Sequence, residues 1–361
     1  MCSATTPSLL PEDLTVKPIV QALPAQSSIN IVPSELLRDI LSRLGLKANI
    51  HACLVCKTWF QVAVSVRKLQ PRPWLFYQMN GKADGDYVLL DRLRSQAYKV
   101  YFSDLKDHEF SCSKDGWLLV SKKKFPSYLV FLFNPFTREH IYLPKAAPTS
   151  CLAFSEAPTS SSCLVISLND RSICSYIEIA TWRPGETLWT THRFENLLPG
   201  RRWKSCVFSN GVLYCLTTFS NIGIFDPSRA TWNILPVEPC PAFFQVDLGR
   251  RVLMTEHEGD IFVMLTSRNK NPLMFKLNLK RNAWEEKREL GGLTVFASHP
   301  TSLTRAGLSV KERNRIYPSH NGHLGVYYSL GDGIISSRFP TSNYLSNRIA
   351  WVDPPYNNFN L

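Results

Sequence analysis

Apolar positions between Ile31 and Pro73 recur at helical spacing, and beyond Trp74 they fall into short alternating runs. In INIVPSELLRDILSRLGLKANIHACLVCKTWFQVAVSVRKLQPRP, the residues Leu36, Leu37, Ile40, Leu41 and Leu44 stand at offsets 0, 1, 4, 5 and 8. That spacing is one stripe of a helix. Pro33 and Ser34 signal its start, because proline suits the first helical positions and a serine oxygen can accept a bond from an orphan amide. Glu35 puts negative charge at the positive end of the helix dipole, and Gly45 ends the element. A second short helix is predicted over about 47 to 54. A third runs from near Cys56 to about Lys68, with Trp59, Ala63 and Val66 on one face, Phe60 and Val64 beside them, and Pro71 and Pro73 as the stop. Three helices this short enclose too little core to be stable alone. Their apolar face is broader than they can cover among themselves, so the unit is expected to lean on a partner.

From Trp74 the runs are strand-like and bounded by turn residues. One pattern recurs: FNPFTREHIYLP at 133–144 and FDPSRATWNILP at 225–236, with looser copies at 90–101, 181–192 and 277–288. Equivalent positions are Ala97, His140, Trp189, Trp232 and Trp284, at steps of 43, 49, 43 and 52 residues, and a weaker sixth copy lies around 314–339. A period of 40–50 residues with several strands per repeat indicates a β-propeller. Asn or Asp followed by Pro fits a type I turn, in which proline presets φ and the Asx side chain bonds the backbone beyond it. The Trp or β-branched residue after that turn is expected between neighbouring blades. Each blade is expected to open with a Gly-containing strand: KDGWLLVS at 114–121, SNGVLYCLTT at 209–218 and HEGDIFVMLT at 257–266.

The fold class is therefore α+β and multidomain: a small three-helix unit followed by an all-β propeller of five or six blades. Six are favoured, with the two ends of the domain sharing a blade. The expected division is a tail at 1–28 rich in Pro, Ser, Thr and Ala, the helical unit at 29–70, a linker at 71–75, the propeller at 76–355 and a tail at 356–361. A chain with 44% apolar and 19% charged residues has the material for such a core, and 24 prolines with 12% aromatics suit many short strands. No apolar run approaches the roughly 18 residues of a membrane span, and no secretory leader pattern opens the chain.

Ten cysteines are scattered, several in apolar runs, which reads as free thiols in a reducing compartment, cytoplasm or nucleus. Cys53 and Cys56 form a C-x-x-C. A zinc site needs a second ligand pair, and the other cysteines offer no second C-x-x-C; a redox site needs a preceding strand. Both cysteines are read instead as small apolar surfaces at a helix joint. His320 and His323 lie in a Gly/Asn-rich loop without a third ligand pattern, and Glu256, Glu258 and Asp260 read as a solvated turn. No G-x-S-x-G, H-E-x-x-H or phosphate-binding G-x-x-x-x-G-K-[ST] occurs. No cofactor, metal or catalytic residue is expected.

The ordered set Val32–Pro33, Glu35–Leu36–Leu37, Ile40–Leu41, Leu44, then Val55–Cys56–Lys57 with Trp59, resembles an F-box, with Val32 where that family more often has Leu. The later half, through Asp-Gly-Trp-Leu-Leu at 115–119 and Asn-Pro-Phe-Thr-Arg at 134–138, resembles the degenerate kelch-like domain of unknown function in many plant F-box proteins. Gly291–Gly292 is its only double glycine, where a kelch repeat proper has one per blade. The resemblance implies docking on the Skp-type adaptor of a cullin–RING ubiquitin ligase, by or next to Pro33, Leu36, Ile40, Leu54, Val55, Cys56 and Trp59, with the propeller holding an unidentified target.

The net charge of +12 is diffuse, with local clusters at Lys122–Lys124, Arg201–Arg202 with Lys204, and Arg250–Arg251. A solvated surface accounts for these clusters. Two alternatives stay open: an independent propeller module that binds nucleic acid or a glycan, and recognition of an acidic or phosphorylated target.

Overall fold

The structure, a computed structural model, describes residues 32–42, 44, 52, 55–69, 72–79, 85–91, 96–124, 127–147, 149–169, 175–244, 251–266, 271–299, 301–306, 308–319, 327–330 and 348–354. Helix α1 is Ser34–Ser42 and α2 is Lys57–Leu69. The Leu37 N–H donates to the Pro33 carbonyl at 2.9 Å and the Phe60 N–H to the Cys56 carbonyl at 2.9 Å, so Pro33 and Cys56 are the residues from which the two helices start. Ser34 departs from its expected capping role. It is the first helical residue, and its hydroxyl donates to the Glu35 carboxylate at 3.2 Å. The expected helix at 47–54 lies outside the described residues except for the buried, helical Ala52.

The rest forms six four-stranded antiparallel or mixed sheets, the six blades favoured from sequence. Blade one holds β1 (Trp74–Gln78), β2 (Asp86–Asp91) and β3 (Gln96–Tyr101). Blade two is β4 (Glu109–Lys114), β5 (Trp117–Lys124), β6 (Ser127–Phe133) and β7 (His140–Tyr142). Blade three is β8 (Cys151–Phe154), β9 (Val165–Asn169), β10 (Tyr176–Trp182) and β11 (Thr190–Glu195). Blade four is β12 (Trp203–Ser209), β13 (Val212–Thr217), β14 (Ile222–Asp226) and β15 (Thr231–Ile234). Blade five is β16 (Arg251–His257), β17 (Asp260–Thr266), β18 (Leu273–Asn278) and β19 (Ala283–Lys287). Blade six is β20 (Thr294–Ala297), β21 (Leu303–Arg305), β22 (Arg315–Pro318) and β23 (Tyr328–Ser329). The last strand, β24 (Ile349–Val352), pairs antiparallel with β1 in the register Trp74↔Val352 and becomes the innermost strand of blade one. The two ends of the domain thus share a blade. Trp351 secures the closure: its indole N–H donates to the Ala297 carbonyl of blade six, and its own carbonyl accepts from Ser113 of blade two at 2.7 Å.

The turn chemistry explains why these residues repeat. Asn134 Oδ1 accepts the Phe136 and Thr137 amides at 2.9 and 3.2 Å, and Asp226 Oδ1 accepts the Ser228 amide at 2.9 Å. Asn278 accepts the Lys280 and Arg281 amides in the same way without a following proline. These turns join third to fourth strands, so the repeated positions mark where fourth strands begin. Trp232 packs edge-on against Trp203, and the Trp189 indole reaches the Pro144 carbonyl beyond blade two at 2.9 Å. Ala97 is exposed, so the inter-blade role expected for this position fails in blade one.

The glycine-containing runs prove to be the hairpins between first and second strands, not the openings of blades. Asp115–Gly116, Asn210–Gly211 and Glu258–Gly259 all have positive φ at both residues. A tight hairpin of this hand requires that, and Gly satisfies it without strain. Blade six departs from the pattern: β21 is innermost although it follows β20 in the chain, and β20 pairs with β22 in parallel. Strand β1 begins at Trp74, so Trp74 and Leu75, placed in the linker from sequence, are strand residues.

Candidate functional site

The five apolar residues of α1 divide into two faces. Leu37 and Leu41 are 1% exposed and pack with Ala52, Val62, Ala63, Val66 and Trp59 in the core of the helical unit. Leu36 and Ile40, one position behind each, are 58% and 48% exposed. Val32 and Leu44 are also exposed on or beside α1, and Val55 and Phe60 lie exposed at the start of α2. A water-facing row of large apolar side chains on so small a unit is the signature of a covered surface.

Of the residues expected at a docking face, Pro33, Leu36, Ile40 and Val55 are exposed. Cys56 is half-buried at the head of α2. Trp59 is half-buried against the core, and its indole N–H has no hydrogen-bond partner among the described residues. Its packing makes it a support for the face rather than part of the exposed row. Leu54 and Cys53 lie outside the described residues, as do His320 and His323. Val32 and Phe60 join the exposed row without having been singled out as docking residues; the i, i+4 spacing of Val32, Leu36 and Ile40 was the available signal.

The linker is tied to the propeller by Arg72. Its guanidinium donates to both Glu312 oxygens, at 2.8 and 2.7 Å, in a fork geometry. Ser309 donates to the same carboxylate at 2.6 Å. Burial alone would raise the Glu312 carboxyl, but the hydrogen bonds from Arg72 and Ser309 hold it below its ordinary value. Sequence gives no hint of this pair, whose members are 240 positions apart.

Where the linker enters, the inner strands end. The Asp115–Gly116 hairpin lies against the Asp353 carbonyl, Ala157 donates its N–H to Asp115 at 3.2 Å, and the Gly259 turn lies against the Asn210 side chain. Arg305 pairs with Asp353 across the blade six–blade one junction. These turns ring a cavity of about 350 Å³ on the propeller axis, lined among others by Lys114, Asp115, Glu256, Glu258, Arg305 and Asp353. Burial raises the Asp115 carboxyl above its ordinary value; Lys114 opposes that shift and Asp353 adds to it. Glu258 is an exposed turn residue, as the solvated-turn reading expected, and with half-buried Glu256 it also lines this cavity. Glu256 also accepts the Gly259 amide at 2.8 Å, and Asp260 pairs with Lys276. The charges are largely matched or bonded, which suits holding the six blades in register.

Comparison with known proteins agrees with this architecture. Residues 29–70 match the F-box domain model, and residues 88–328 match the model described as KIB1-4 beta-propeller. The chain is 49% identical to the F-box/kelch-repeat protein At3g18720 of Arabidopsis thaliana, over 97% of each chain. It is 38% identical to the F-box/kelch-repeat protein At1g57790 of the same plant, over 91% of this chain and 96% of that one. It is 40% identical to the Arabidopsis F-box protein At3g56470, over 78% of this chain and 75% of that one. The chain belongs to the plant F-box proteins that carry a KIB1-4 beta-propeller.

Proposed function

We propose that this chain is the substrate-recognition subunit of an SCF-type ubiquitin ligase. The helical unit docks on a Skp-type adaptor, and through it on cullin and RING subunits, while the propeller binds a target protein. The observation that carries the reading is the row Leu36, Ile40, Val55 and Phe60, left exposed beside a helical core already filled by their neighbours. Burying an aliphatic or aromatic side chain stabilises by roughly 1.5–3 kcal/mol, so a few anchors of this kind hold a complex. The chain performs no bond chemistry in this role. It raises the effective concentration of target lysines near the conjugating enzyme. Arg72 supports that role mechanically, since a linker held by a bidentate ion pair limits how far the two parts wander. The seven free thiols among the described residues suit work in a reducing compartment, cytoplasm or nucleus.

The test is a pull-down of the recombinant full-length chain with a purified Skp-type adaptor. Retention of the adaptor is expected. A wild-type chain that retains none sinks the reading and leaves the alternative, a propeller that binds its ligand independently of any ligase.

A further inference from the structure

The two ends of the inner strands differ. The linker enters beside Val352 and Asp353, at the end where the hairpin turns gather. Strand β12 begins at the other end, and there the segments before it and after β13 and β15 come together. The Arg201 guanidinium lies over the Phe219 ring, 3.9 Å from its centroid, and Phe219 meets Phe244 at 6.0 Å. Two hydrogen bonds lock the segments into one surface: the Thr218 amide donates to the Arg202 carbonyl at 3.1 Å, and the Cys240 amide to buried Ser220 at 2.7 Å. Leu197 and Phe244 remain 54% and 49% exposed there. Arg202 and Lys204 are exposed as well. None of Arg201, Arg202 and Lys204 is ion-paired among the described residues, whereas Arg72, Lys276 and Arg305 each hold a carboxylate. The flanking segments 195–204 and 235–244 bring one carboxylate each, Glu195 and Glu238, against these three cations. The positive charge is felt by buried neighbours: burial, then Arg251 and Lys204, hold His299 below its ordinary value.

We propose that this patch on blade four, centred on Arg201, Phe219 and Phe244, is where the propeller docks an acidic segment of its target protein that also carries apolar side chains. Unpaired cations supply charge complementarity, and an arginine stacked on an aromatic beside exposed apolar groups is the composition of an interface centre. A protein segment fits better than single-stranded nucleic acid. Base stacking needs a free aromatic face, and one face of Phe219 is already covered by Arg201. The proposal rests on the propeller being the target-binding part, and it deepens that reading by naming the face and the chemistry.

The test is selection of a random dodecapeptide phage library on the immobilised full-length chain, followed by affinity measurement on selected peptides by fluorescence anisotropy. Enrichment of Asp and Glu interspersed with Leu, Ile or Phe is expected. The triple variant R201A/R202A/K204A should weaken those peptides at least tenfold, and so should F244A. The exposed pair Lys280 and Arg281, in the turn before β19 at the linker end, provides the control, and K280A/R281A should leave affinity unchanged. Selected peptides without acidic enrichment, equal weakening by the control pair, or tighter binding of a twelve-nucleotide single-stranded RNA than of any peptide would each overturn the proposal. Adaptor retention by the same variants separates the two readings. A chain that holds peptide but no adaptor refutes the ligase role alone, and one that holds adaptor but shows no dependence on the patch refutes the docking surface alone.

Discussion

Replacing Leu36 and Ile40 together with alanine removes the two large exposed apolar side chains of α1 and leaves its buried face intact. Full burial of a leucine or isoleucine is worth about 1.5–3 kcal/mol. These two keep 58% and 48% of their surface in water, so a partner that covers them gains about half of that value, about 0.8–1.5 kcal/mol each. At 1.4 kcal/mol per factor of ten, the double variant should raise the adaptor Kd by about 15- to 150-fold. Isothermal titration of the full-length chain with a purified Skp-type adaptor measures this directly. Thermal unfolding followed by circular dichroism should be unchanged, because neither side chain belongs to the core cluster of the helical unit. Leu37→Ala is the contrast: it cuts into that core, should cost about 2–5 kcal/mol, and should abolish adaptor binding by unfolding the unit. An adaptor Kd within twofold of wild type for a folded Leu36→Ala/Ile40→Ala chain would refute the reasoning, because the exposed row would then not be the docking face.

Gly223 tests the packing of blade four. A Cβ there would stand 2.3 Å from the Trp232 ring and 2.7 Å from Trp203, so Gly223→Ala should lower urea stability by about 1–3 kcal/mol, and an unchanged midpoint would count against the close stacking described. Glu312→Gln tests the linker anchor. The depressed Glu312 carboxyl contributes stability that is complete above its ordinary value of 4.5 and is lost as pH falls through the lower folded value. The wild type should therefore melt higher than the variant at neutral pH, with the gap narrowing as pH falls below 4.5; a gap that does not narrow on acidification argues against the ion pair as its source. Asp115→Asn carries the opposite sign. Its carboxyl is raised by burial, so the charged form is penalised above the raised value and relieved as pH falls toward the ordinary 3.8. The variant should melt higher than wild type at pH 7 and lose that advantage on acidification, and a lower melting temperature at pH 7 would show that the carboxylate is compensated by more than Lys114, Arg305 and the Ala157 amide.

Residues whose role is local were legible in the sequence. Asn134 and Asp226 announce their turns because an Asx side chain bonds its own backbone two residues on, and Gly116, Gly211 and Gly259 in the first hairpins of blades two, four and five announce left-handed positions that few other residues tolerate. Two clear copies and three looser ones were enough to give the period, and the period gave the blades. Blade six shows in the sequence only as a weak copy at 314–339, and its strand order escaped because it is non-local: β20 pairs with β22 in parallel. Helical periodicity alone could not divide the α1 stripe, for a related reason; it is the F-box resemblance that singles out Leu36 and Ile40. Leu36 and Leu37 are equivalent in a helical pattern, and only the position of α2 decides which of the two is buried. Arg72 with Glu312, and Arg305 with Asp353, join residues far apart in the chain, and no single-sequence pattern pairs them.

The basic clusters show where local reading stops and topology begins. Arg201, Arg202 and Lys204 are ordinary surface residues when seen in sequence, as are the isolated Phe219 and Phe244. Strand direction changes their meaning. Every regular inner strand runs toward the end where the linker enters, so the segments preceding inner strands all emerge at the other end. Strand β12 has seven residues, and at about 3.3 Å per residue it separates those two ends by about 20 Å. Anchoring through Arg72 and docking through Arg201 therefore use opposite ends of the same rigid blades, with no surface in common. A ligase subunit needs that separation, because a target and the adaptor-bearing segment must be held at the same time, and a patch beside the linker would force them to compete.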